Sequence, residues 1–259
     1  MRSVERGVAC PGCPHRAAYI VCKEALGRGA GRVICGNAGC AAAAPLHPAA
    51  TICPGGEEAL LDRYRTPVPR GGTPQQPAVD ACIHFALDTE VAAAVAEEEL
   101  RDLAAEGVTT VLAILASSKA HLSRAAIESL AARAEELGAA RVAVVDPLDT
   151  ISAGAVVADA LSTPGVHAVI FSSPCTRLLR SNIPAPVDID RYACVGCHRC
   201  KQITGCPALV FAPPAYQIDA DACTGCDLCT AYCRTHVIYS PRTRMTPEER
   251  AAERLAATR

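Results

Sequence analysis

The chain has 259 residues, half of them hydrophobic but only 3% aromatic, and a formal net charge of -2. That length fits one or two domains with a core of Ala, Val, Leu and Ile, and so small a charge excludes the electrostatic footprint of a nucleic-acid binder. No run approaches the roughly eighteen consecutive apolar residues of a membrane helix, and no targeting segment is recognisable; sixteen cysteines then imply a reducing compartment, with the cytoplasm expected, and thiols used as metal ligands.

Residues 1–60 are rich in Gly, Pro and Cys. The turn Cys10-Pro11-Gly12-Cys13-Pro14-His15-Arg16 points two thiolates to one side of a loop. A helix is predicted from Arg16 to Leu26, ended by Gly27, and a short strand near Arg32 to Cys35. Gly36-Asn37-Ala38-Gly39-Cys40 is too Gly-rich for a strand, and Glu57 to Tyr64 reads as a short helix. Residues 66–77, with four prolines and two glycines, are expected as a surface loop or linker.

From 78 to 173 strand and helix patterns alternate. Strands are predicted at Ala78 to Ala86, Val108 to Ala116, Arg141 to Val145 and His167 to Phe171. The second is a continuous apolar run, as a buried parallel strand requires. Helices are predicted at Thr89 to Glu106, His121 to Leu137 and Ile151 to Leu161. This order argues for right-handed βαβ units and an α/β parallel sheet. Ligands of such sheets lie beyond the carboxyl ends of the strands, where Ser117-Ser118, Asp146-Pro147 and Ser172-Ser173-Pro174-Cys175 stand.

Eight of the sixteen cysteines fall in the forty residues from Cys194 to Cys233. Cys194, Cys197, Cys200 and Cys206 form one run, and Cys223, Cys226, Cys229 and Cys233 a second. Three cysteines at steps of three bring three thiolates from a tight loop onto one cubane, and the fourth must come from elsewhere. A disulfide scaffold needs a short secreted chain. Zinc sites pair two Cys-x2-Cys units without a third cysteine at the same step. The duplicated run resembles the bacterial-type two-cluster ferredoxin module, in which the last cysteine of each run crosses to the other cluster. That resemblance implies one [4Fe-4S] cluster on Cys194, Cys197, Cys200 and Cys233, and a second on Cys223, Cys226, Cys229 and Cys206. Val187 to Asp190 and Tyr216 to Asp219 read as equivalent strands leading into the runs. In the tail, Thr246 is expected to cap a solvated helix, with Pro247 in its first turn and Glu249 three residues on.

Beyond the ferredoxin module, the chain resembles the C-terminal half of the large subunit of indolepyruvate ferredoxin oxidoreductase. The resemblance rests on Cys10-Pro11-Gly12-Cys13-Pro14-His15-Arg16, Val144-Val145-Asp146-Pro147, Ser173-Pro174-Cys175, Gly205-Cys206-Pro207-Ala208-Leu209 and Cys223-Thr224-Gly225-Cys226. It implies a thiamine diphosphate-enzyme-like α/β domain at 1–183, a small α+β 2[4Fe-4S] ferredoxin domain at 184–240 and a polar helical tail at 241–259. The departures bear on the chemistry. The family holds thiamine diphosphate through a divalent metal on a Gly-Asp-Gly type turn and a downstream Asn. Here Asp80 is taken as the remnant acid, without its glycine, and Ser117 or Ser118 stands for the Asn, although a hydroxyl is a poor substitute for an amide carbonyl on magnesium. The Glu that activates the cofactor has no counterpart. The domain therefore reads as degenerate, with neither thiamine diphosphate nor magnesium expected and no catalytic residue assigned.

Within the broader superfamily, Cys10, Cys13, Cys40 and Cys175 resemble the ligands of a further [4Fe-4S] cluster beside the cofactor; the competing reading is four inherited thiols without metal. Cys35 is a substitute for Cys40. Cys22, Cys53 and Cys82 read as buried small residues, the last two also as a further pair. His198 and His236 are expected as solvent-facing spacers. Arg177, Arg180 and Arg191 form a basic strip, and Arg234 stands where ferredoxin runs have Pro. The expected function is an iron–sulfur electron-transfer subunit of an oxidoreductase complex, relaying electrons through two or three clusters to partner subunits or a ferredoxin. The alternatives are a catalytic-type subunit of a thiamine-dependent 2-oxoacid:ferredoxin oxidoreductase completed by another chain, and a scaffold using clusters structurally.

Overall fold

The computed structural model describes residues 10–27, 32–37, 39–40, 80–92 and 107–259. The helix expected at 57–64, the loop at 66–77, Cys53 and residues 93–106 of the helix expected at 89–106 lie outside them.

Five parallel strands order as β1-β2-β3-β5-β4. They are β1 (Arg32–Gly36), β2 (Ala81–Leu87), β3 (Thr109–Ala116), β4 (Arg141–Val145) and β5 (Val166–Ser172). β3 sits at the centre, between β2 and β5, and its apolar run is what a strand covered on both faces needs. Its side chains divide with period two. Val111, Ala113 and Leu115 face a layer made by α1 (Pro14–Leu26) and a later helix at Thr150–Ser162. Leu112, Ile114 and Ala116 face the helix at Arg124–Glu136 through Leu130, Ala134 and Leu137. In chain order the helices after α1 are α2 (Asp88–Ala92), α3 (Arg124–Glu136) and α4 (Thr150–Ser162). The helix expected from His121 begins later, because Ser123 takes the cap by accepting the Ala126 N–H at 3.2 Å, leaving Lys119–His121 as a separate 3-10 turn.

A small C-terminal region follows, with β6 (Asp188–Ile189), α5 (Arg199–Thr204), β7 (Leu209–Ala212), β8 (Ala215–Ile218), α6 (Leu228–Ala231) and β9 (Ile238–Tyr239). The two strands expected to be equivalent are both present, β6 pairing antiparallel with β9 and β8 with β7. Among the described residues no helix is long and apolar enough to cross a membrane.

The tail forms α7 (Pro247–Ala256) with a full capping box: Glu249 N–H donates to Thr246 Oγ1 at 3.3 Å and Thr246 N–H to Glu249 Oε2 at 2.7 Å. It is not the solvated helix expected. Arg254 is buried and paired with Asp146 beyond β4, and the Ala257 carbonyl accepts the Arg180 N–H at 2.8 Å. A cation can leave water here because a carboxylate meets it, which a reading of local polarity does not see. Thr246→Ala is expected to remove the cap and cost about 1 kcal/mol, checked by urea unfolding of the anaerobic protein.

Candidate iron–sulfur centres

The two cysteine runs share one local design. In each, an aspartate backbone carbonyl four residues ahead accepts the N–H of the first cysteine at 2.9 Å (Asp190 for Cys194, Asp219 for Cys223). The same aspartates accept a second N–H on Oδ1, from Ala193 and Ala222, each at 3.2 Å. The residue after the second cysteine is left-handed in both, His198 at φ 59° and Asp227 at φ 62°. That conformation is costly for a side chain other than glycine, and each is held by a partner. His198 Nδ1 lies 2.7 Å from Tyr216 Oη, with its ring 4.7 Å from that of Phe211. Asp227 receives Arg242 on both oxygens, at 2.8 and 3.1 Å, with both side chains buried. Gly225, at φ +62°, admits no Cβ, which would stand 2.5 Å from the Ala185 carbonyl oxygen.

The cysteines divide by neighbourhood. Cys200 is within electrostatic reach of Cys233, Cys197 and Cys194, and burial, with their charges, pushes its thiol up to about 11. Cys226 feels Cys206 and Cys223 and is pushed up to about 12, again mainly by burial. Cys229 is raised further by burial, with Cys226, Cys206 and Cys223 adding to it. Cys233 differs: burial acts upward, but N–H groups aimed at its sulfur, including Val237 at 3.3 Å, hold it below the ordinary thiol value. Among the described residues no three His, Cys, Asp or Glu side chains are grouped to hold a single metal ion. A cubane places each thiolate on a different iron, with the sulfurs further apart than around a lone ion. One almost wholly apolar cavity opens among Cys206, Cys223, Cys226 and Cys229, with Pro11, Gly12 and Arg16 on its wall.

The four cysteines outside the runs also lie together. Cys10 and Cys13 flank a turn closed by the Cys13 N–H on the Cys10 carbonyl at 3.2 Å. Cys13 hydrogen-bonds Cys40, whose thiol is held down to about 6 by that bond, with Arg177 and Arg16 acting the same way against burial. Cys175 is placed by its N–H on the Ser117 carbonyl at 3.0 Å, and it feels both Cys40 and Cys10. Arg177 hydrogen-bonds Cys10, so the basic strip contributes to this cluster of thiols rather than only to a solvated face. Cys35, the substitute for Cys40, instead points its sulfur to Cys82 at 3.3 Å, the two buried on neighbouring strands β1 and β2. Cys22 is buried in α1.

This group lies directly against the C-terminal region. A Cβ on Gly12, at φ +69°, would collide with Thr224 Oγ1 and meet Cys226 Cβ at 3.3 Å. Arg16, fully buried one turn on, is within electrostatic reach of Cys13, Cys40 and Cys226. The Tyr232 hydroxyl donates to Glu24 Oε2 at 2.9 Å further along α1.

At the carboxyl edge of the sheet the acid is not the one expected. Asp80 is exposed at the amino end of β2, on the far side from the cysteines. Asp88, just past the carboxyl end of β2, is the buried one. Its Oδ1 accepts the Thr89 N–H at 2.9 Å. Its Oδ2 accepts the Ser118 N–H at 3.2 Å and hydroxyl at 2.7 Å, and His121 Nδ1 lies 3.2 Å away. Three of these four contacts fall on Oδ2 and one on Oδ1. Ser117 is likewise engaged, with His15 Nε2 2.6 Å from its hydroxyl. Among the described residues, the side chains at this edge are turned on one another.

The family model of the 4Fe-4S binding domain matches residues 216–239, from β8 through the second run to β9. No curated protein and no solved structure matches the chain. The chain thus joins a parallel five-strand α/β sheet to a 4Fe-4S binding motif, consistent with electron transfer. Arg242→Ala would leave Asp227 buried and uncompensated beside Cys226, with an expected loss of about 3–5 kcal/mol. Denaturant unfolding together with iron retention under a chelator would measure it.

Proposed function

We propose that this chain is an iron–sulfur electron-transfer subunit related to indolepyruvate ferredoxin oxidoreductase. Cys194, Cys197, Cys200 and Cys233 would hold one [4Fe-4S] cluster, Cys223, Cys226, Cys229 and Cys206 a second, and Cys10, Cys13, Cys40 and Cys175 a third. When bound, such clusters supply reversible one-electron chemistry. The residues supply the rest. Burial holds these thiols protonated, so taking up iron must release their protons, and the charge of the iron would offset the cost of burying the thiolates. The N–H groups on Cys233 and the buried guanidinium of Arg16 favour the more negative state of whatever those sulfurs ligate. The observation that carries the reading is the packing of Gly12 on Thr224 and Cys226, which sets the third group of thiols beside the second run with no intervening layer.

Iron and sulfide assay of the anaerobically prepared full chain tests it. About twelve irons per chain are expected, falling by about four in Cys175→Ser while the remaining clusters persist. About eight in the unaltered chain would remove the third cluster.

The thiamine-dependent alternative needs a free acid at the sheet edge, and Asp88 Oδ2 is held by Ser118 and His121. Titration with thiamine diphosphate and magnesium, followed by calorimetry with the chain alone and with any co-purifying subunit, is expected to give no saturable heat. A saturable, magnesium-dependent signal would restore that alternative.

A further inference from the structure

A second cavity, of about 270 Å³, opens between the carboxyl end of β4, the first turn of α4, α6 and α7. None of its lining residues belongs to the network around Asp88. Open parallel sheets take ligands beyond the carboxyl ends of their strands, and this volume admits a small molecule. Part of the wall is apolar, made by Leu148, Ile151, Ala231 and Pro247. The rest is charged. Three carboxylates stand there, each with a partner inside the protein. Asp146 pairs with Arg254 and accepts the Leu148 N–H at 3.0 Å. Asp227 holds Arg242 on both oxygens. Asp149 caps α4 by accepting the Ser152 N–H at 3.4 Å. The guanidinium groups are less well served. Arg250 and Arg254 lie four residues apart on one face of α7, and both line the cavity. Arg254 is only 8% exposed. Among the described residues, the Nε of each is buried without a hydrogen-bond partner. Buried donors left unpaired call for an acceptor.

We propose that this cavity binds a small organic monocarboxylate with a short apolar body. The carboxylate takes donors of Arg250 and Arg254, since a planar guanidinium suits a planar carboxylate, and the body lies on Leu148, Ile151 and Pro247. One negative charge fits and two do not. Arg250 offsets a monoanion, whereas the second charge of a phosphate would meet Asp149 on the same wall. A cation finds the carboxylates already partnered. Cys226 also lines the cavity, so the bound anion lies beside the second cysteine run. A negative charge there opposes the added electron of a reduced cluster. The coupling is reciprocal: reduction weakens the ligand by the factor by which the ligand disfavours reduction. The site stands on the cavity alone, while its link to redox state rests on the proposed cluster at Cys206, Cys223, Cys226 and Cys229.

The test uses the full chain, prepared anaerobically, with hexanoate as the probe. Calorimetry is expected to show saturable binding of hexanoate and none of hexylammonium or inorganic phosphate. Arg250→Gln should weaken hexanoate by about tenfold or more, as loss of a charge-assisted contact does. Ala231→Phe, at an exposed position on the wall, should block the cavity, and it keeps the site open to refutation should Arg250→Gln fold poorly. Arg124→Gln, on an exposed stretch of α3, should leave the affinity unchanged. No saturable heat with hexanoate, undiminished affinity in both cavity variants, or phosphate binding as tight as that of hexanoate would overturn the site. EPR-monitored reduction with dithionite, with and without saturating hexanoate, reads the link. One cluster is expected to move to lower potential, and hexanoate to bind the reduced protein more weakly by the matching factor. Saturable binding with no potential moved refutes the link alone. Iron assay on the same samples separates the levels: protein without a reducible cluster refutes the underlying reading, while its calorimetry still decides the site.

Discussion

The structure depends on a helix buried from two directions. Along α1, Ala18, Tyr19, Val21, Cys22 and Leu26 pack on the sheet. Ala17 and Ile20, on the other face, pack with Ile203, Leu228 and Tyr232 of the C-terminal region. A helix apolar on one stripe serves one layer; α1 serves two, and its N-terminal turn carries Cys10 and Cys13 into the seam between them. The spacing of those thiols from the second cysteine run is therefore set by helix packing rather than by a free loop. Packed interiors resist small displacements, and a relay of electrons between fixed centres requires that resistance.

The same economy governs the small C-terminal region. Its core consists of Val187, Ile189, Leu209, Tyr216, Val237 and Ile238 together with Cys200, Cys229 and Cys233. So few apolar side chains bury little area, and units of this size usually need a staple. The cysteines are part of that core, so a metal cluster on them would be both the redox centre and the interior. The left-handed residues after each second cysteine fit this picture. They carry a conformational cost, and Tyr216 and Arg242 offset it from outside the loops.

Much of this was legible in the sequence, for identifiable reasons. The parallel strands announced themselves because β3 and β5 are covered on both faces and carry the apolar runs 111–116 and 168–171. The two runs announced themselves because cubane ligands from one loop need a fixed step. The capping box of α7 was legible because both of its partners lie within one turn. What escaped depends on residues distant in the chain. Arg16 and Lys23 give α1 the look of a helix with a wet face, yet both are buried. Arg242 and Asp227 are 15 residues apart, and Arg254 and Asp146 108 apart, so the tail looked solvated. Asp80 was expected at the carboxyl edge but stands at the amino end of β2, while the buried acid at that edge is Asp88, which carried no local mark.

The carboxyl edge of a parallel sheet is where the backbone leaves room for ligands, and here the chain puts an aspartate, two serines and two histidines. Their polar atoms are turned on one another: His15 on Ser117, and Ser118 with His121 on Asp88. A cofactor would have to break these bonds and desolvate the metal as well, whereas the network as it stands satisfies buried polar groups at no further cost. It also has a structural product. Ser117, held by His15, presents its carbonyl to the Cys175 N–H, and His15 Nδ1 accepts the Cys40 N–H at 3.4 Å. The groups that the sheet edge offers to a ligand here position two of the four clustered thiols instead.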